Sequence, residues 1–72
     1  MLCFEIGNAG REIQVDCDEG GMGILINALE KLRAGAGHMY LRTASNGGCE
    51  LDDKSPWGVE GIGEVIISWV GD

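Results

Sequence analysis

One stretch of this chain, and only one, repeats with the period of an α-helix. Met22, Leu25, Leu29 and Leu32 follow one another at spacings of three, four and three, and Ile26 and Ala28 widen the stripe. Asp18 stands where an N-cap belongs, and Glu19 suits the positive end of the helix dipole. Lys31 and Arg33 fall in the last turn, where cations are favoured, and Gly35 or Gly37 can supply the left-handed stop. Gly20, Gly21 and Gly23 each weaken the first turns by roughly 0.5–1 kcal/mol relative to Ala. They predict a frayed first turn and a helix that is firm from Met22. Close approach to a neighbouring segment is the other reason for glycine at such positions.

The other patterned stretches are strand-like. In MLCFEI, Leu2, Phe4 and Ile6 share one face while Cys3 and Glu5 take the other. GNAG, residues 7 to 10, is turn chemistry. Beyond it Ile13, Val15 and Cys17 lie opposite Glu12, Gln14 and Asp16, so the two runs predict a β-hairpin. HMYLRTA, residues 38 to 44, places Met39, Leu41 and Thr43 on one face and His38, Tyr40 and Arg42 on the other. EVIISWV, residues 64 to 70, is apolar on both faces apart from Ser68, and wants a central sheet position or cover from another molecule. Residues 45 to 62 have no period, and so long a connection in a small domain tends to be functional or mobile.

The resulting order is β-β-α-β-β. A chain of 72 residues makes a single domain, residues 1 to 72, and buries only about 60% of its unfolded surface. One helix can cover one face of a sheet. The expected class is therefore α+β, a four-stranded, mainly antiparallel sheet with the helix packed on one face. The opposite face would carry Cys3, Glu5, Glu12, Gln14, His38, Tyr40 and Arg42, and would be the largest surface offered to a partner. A homodimer is one way to cover Ile66 and Val70.

Charge narrows the partners. Twelve acidic residues stand against five basic ones, a formal charge of −7, and no Lys/Arg cluster exists to attract phosphate. Nucleic acid and anionic membrane surfaces are disfavoured, and a basic protein surface fits. Cys3, Cys17 and Cys49 are an odd set with no CxxC pair, and no signal-peptide pattern or apolar run of ~20 residues occurs. The expectation is a cytoplasmic protein with reduced thiols.

Residues 37 to 53, GHMYLRTASNGGCELDD, hold the residue types of an active site without the spacing. Cys49 with His38 as base and Glu50 or Asp52 behind it is a weak nucleophile set, because three cysteines and one His give such sets by chance. Zinc and EF-hand calcium spacings are missing, and GNAG and NGG precede no helix bearing Lys or Ser/Thr. No catalytic residue, metal site or cofactor is expected. More informative are Glu50, Asp52, Asp53, Glu60 and Glu64 against Lys54 alone, around Trp57. An aromatic anchor among charges is the composition of a protein-binding surface. Trp57 could equally fold back onto the core.

The helix opening Asp-x-x-Gly and running through LINALEKLRAG, the strand beginning Gly37-His38, and the turn Thr-x-Ser-x-Gly-Gly-x-Glu-Leu make a larger pattern. It resembles the immunity protein 32 family of bacterial polymorphic toxin systems. Gly37, His38, Leu41, Thr43, Ser45, Gly47, Gly48, Glu50 and Leu51 carry the resemblance, and Tyr40, Asn46 and Cys49 depart from it. The resemblance implies a cytosolic, non-enzymatic protein that neutralises a cognate protein toxin, with nucleases prominent among such toxins. The residues expected to bind it are His38, Tyr40, Arg42, Glu50, Asp52, Asp53 and Trp57. The competing expectation is a small self-associating structural or metal-binding domain with no toxin partner.

Overall fold

A computed structural model describes residues 1–71. Strands β1 (Leu2–Gly7) and β2 (Glu12–Cys17) form the predicted antiparallel hairpin, with Leu2 opposite Cys17 and Phe4 opposite Val15. Helix α1 (Glu19–Lys31) follows at once. Strands β3 (His38–Arg42) and β4 (Glu64–Ser68) pair antiparallel, with Tyr40 opposite Ile66. The α+β class and the β-β-α-β-β order therefore hold.

The strands make two sheets of two rather than one sheet of four. The reason lies in the long connection. The amides of Asp52 and Ile62 donate to the carbonyls of Leu2 and Phe4 at 2.8 Å each, which occupies the edge of β1 that a third strand would need. On its other side the Leu51 amide donates to the Arg42 carbonyl, and Leu51 forms a parallel bridge with Thr43. A chain segment thus lies as a seam between the sheets and satisfies backbone groups that burial would otherwise leave costly.

Residues 54 to 60 are also ordered. Lys54 bridges Glu60, the Ser55 amide donates to the Val59 carbonyl at 2.8 Å, and Ser55 Oγ accepts the Val59 amide at 3.0 Å. Gly58 takes φ +85°, which closes this small turn with Trp57 at its tip.

Leu2, Phe4, Ala28, Leu41 and Leu51 form the core, with Ile24, Leu25, Met39, Ile62, Val65 and Ile67 packed against it. Burial of each large apolar side chain there is worth about 1.5–3 kcal/mol. Asp18 caps the helix by accepting the Gly21 amide at 2.9 Å, and Gly35 and Gly37 both adopt positive φ at its end. The first turn is helical from Glu19, not frayed. A Cβ on Gly21 would sit 1.7 Å from the Met1 carbonyl oxygen, so close approach explains that glycine. It also rotates the predicted stripe: Gly21, Ala28 and Leu32 are buried, while Met22, Ile26 and Leu29 are about half exposed.

Candidate protein-binding site

Alternation along β3 turns Met39 and Leu41 toward the core and His38, Tyr40 and Arg42 outward. Register adds Glu64, Ile66 and Ser68 of β4 to the same outward face. The side chains there order one another. His38 meets the edge of Tyr40 with ring centroids 5.0 Å apart at 81°. The Arg42 guanidinium lies 4.5 Å over the Tyr40 ring, and its Nε donates to Glu64 at 2.6 Å. Tyr40 is 41% exposed and Ile66 53%. The result is a small open patch with an aromatic centre and fixed charges.

The neighbouring turn is structural. Thr43 is buried, shares a hydrogen bond with Ser45, and accepts from Asn46 Nδ2 at 2.9 Å. Gly47 takes φ +85°, and a Cβ on Gly48 would strike Arg42 at 2.5 Å. Glu50 accepts the Arg42 amide at 3.0 Å, and this backbone hydrogen bond holds its carboxyl below the usual range. Leu51 is core. Glu50 is therefore tied to the edge of β3, whereas Asp52 and Asp53 are exposed. Trp57 keeps its ring 59% exposed and donates its indole N–H to Glu5 Oε1 at 3.3 Å. Of the seven anticipated binding residues, His38, Tyr40 and Arg42 form one patch, and Glu50 and Trp57 are each bonded elsewhere. His38 and the Gly48–Cys49 end of the turn lie at opposite ends of β3, roughly 13 Å apart at strand rise.

The expected open face over β1 and β2 is corrected in part. Cys3 is fully buried and Glu5 is 8% exposed. The loop covers them: Trp57 bonds Glu5, and a Cβ on Gly61 would lie 2.6 Å from Cys3 Sγ. Beneath this roof lies a group that alternation alone did not reveal. Glu5 and Asp16, both 8% exposed, each retain one buried oxygen with no donor among the described residues. The partnered oxygens accept from Trp57 and, at 2.7 Å, from Gln14. The hydrogen bond with Asp16 is the main cause that raises the Glu5 carboxyl, with desolvation second. Desolvation first, then the nearby carboxylates Asp16, Glu5 and Asp52, likewise push the Cys3 thiol up. The signal for this pair was the hairpin register, which places positions 3, 5, 14 and 16 on one face.

Among the described residues no group of three or more His, Cys, Asp or Glu side chains is arranged to hold a metal ion. No helix among them is long and apolar enough to cross a membrane. Comparison with protein-family models, with curated proteins and with solved structures finds no match.

Proposed function

We propose that this protein is an immunity protein that binds a cognate bacterial toxin and blocks its active site or substrate groove. The observation that carries the reading is the outward face of β3–β4. His38, Tyr40 and Arg42 are fixed by ring and guanidinium contacts beside the exposed Ile66. Aromatic and Arg anchors with limited rotamer freedom are what protein interfaces concentrate at their centres. Asp52 and Asp53 stand exposed on the adjoining loop, and the chain carries a formal charge of −7. Those charges would accelerate encounter with a basic groove, such as that of a nuclease.

Inhibition on this reading is steric and electrostatic, and uses no catalytic residue, cofactor or metal of the inhibitor. The turn from Thr43 to Leu51, which carries most of the family resemblance, serves the role of holding Arg42 in place. Co-expression with the toxin encoded beside its gene tests the proposal. Protected cells and a co-purified complex are expected. Unprotected cells, with the inhibitor present and folded, would refute it.

A further inference from the structure

The register of β3 and β4 determines which backbone groups of β4 are left free. Trp69 N–H donates to Gly37 O, and Thr43 N–H donates to Gly63 O. Residues 65 and 67 therefore direct their N–H and C=O groups inward at β3, while those of Glu64, Ile66 and Ser68 point away from it. The same alternation on β3 is verified by Arg42, whose N–H and C=O point outward and meet Glu50 and Leu51. No such cover exists at β4: among the described residues the outward groups of Glu64, Ile66 and Ser68 have no backbone partner. This edge carries no Pro, Lys or bulge of the kind that guards natural sheet edges.

We infer that the β4 edge pairs with β4 of a second copy of this chain, antiparallel and centred on Ile66. That two-fold register is self-complementary. Ile66 faces Ile66 of the partner copy, and Glu64 faces Ser68, so all six outward groups of each strand enter the ladder. Like charges never face each other, and each Glu64 is already paired with its own Arg42. Val65 meets Ile67 on the core side, and the exposed Trp69 falls opposite Gly63. The two sheets become one of four strands, and the two His38–Tyr40–Arg42 patches lie on one continuous face.

The free edge of β2 does not offer this. Centred on Val15, a β2–β2 pairing would set Glu12 against Asp18, acid on acid. Trp57 and Pro56 also crowd a cleft along Val15 and Asp16.

Sedimentation equilibrium of the full chain from micromolar to millimolar concentration tests the pairing, together with hydrogen exchange and two variants. A monomer–dimer equilibrium is expected, with the Glu64, Ile66 and Ser68 amides slowing as concentration rises. Ser68→Lys places a cation opposite Glu64 of the other copy and should tighten the dimer; Ser68→Glu should loosen it. Each shift should be about tenfold in dissociation constant, since the pair occurs twice. Both variants change an exposed strand-end side chain, and circular dichroism checks that they fold. A monomer at every concentration overturns the inference, as does a dimer that neither variant shifts or whose three amides stay fast. Protection of those amides only by a partner protein's strand would also overturn it. Toxin neutralisation can stand or fall separately, because it is read by co-purification rather than by self-association.

Discussion

On the β1–β2 hairpin the outward-facing Cys3 and Glu5 lie beneath the segment from Trp57 to Gly61, whereas on β3–β4 the outward-facing His38, Tyr40 and Arg42 meet solvent. Both faces arise from the same period-two alternation. On the covered face, the Glu5 and Asp16 carboxyls lose water, and each keeps one buried oxygen with no donor among the described residues. On the open face, charge pairs with charge, Arg42 with Glu64, over an aromatic ring. A surface available for recognition is thus defined by where the connecting segment lies, and not by strand pattern alone.

Removing the roof should have the largest effect. Gly61→Val puts carbon into space bounded by Cys3 Sγ and, at 3.3 and 3.4 Å, the carbonyl oxygens of Asp52 and Asp53. A loss of about 2–3 kcal/mol in urea denaturation is expected, together with faster labelling of Cys3 by a thiol reagent. An unchanged midpoint and an unreactive Cys3 would show that the segment does not cover this face.

Acidity should separate the two regions next. The raised Glu5 carboxyl contributes stability that is fully present below the ordinary carboxylate range and is lost as pH rises through its folded value. The lowered Glu50 carboxyl does the reverse: its contribution is present at neutral pH and is lost as pH falls through its folded value. Glu5→Gln should therefore remove a decline in stability toward neutral pH, and Glu50→Gln should remove a decline toward acid pH. Denaturation midpoints measured from about pH 3 to about pH 8, a range that spans both sides of the ordinary carboxylate value, check both signs.

The open face should matter least to stability. Arg42 and Glu64 side chains are 37% and 39% exposed, so Arg42→Ala should cost about 0.2–1 kcal/mol. A loss well above that, without any effect on a partner, would make the patch a folding element and not a recognition surface.

The strands, the hairpin, the Asp18 cap and the glycine stop could be read from the sequence because each is a local decision: alternation, a capping side chain, a left-handed residue. The outward placement of His38, Tyr40 and Arg42 follows from the same rule. What escaped was long-range. The seam at Leu51–Asp52 depends on amides that any residue carries, so no side-chain pattern announces it. Gly21 and Gly61 are demanded by atoms distant in sequence, Met1 and Cys3; close approach is one of the two sequence readings of Gly21, but no local pattern names the atom it meets or singles out Gly61. Glu5 and Asp16 read as solvated because polar alternation assumes that the polar face meets water. Trp57 fits neither a wholly buried nor a wholly free description: its N–H is anchored while its ring is exposed.

The central claim is that the open β3–β4 face is the toxin-binding surface. Its most direct measurement is survival of cells that co-express the proposed cognate toxin, sought in the neighbouring gene, with a Tyr40→Ala, Arg42→Ala double variant. The wild-type chain should protect. The double variant should fold, remain soluble and fail to protect or co-purify, while Glu5→Gln, altered only beneath the roof, should protect as the wild type does. Full protection by the folded double variant would contradict the claim.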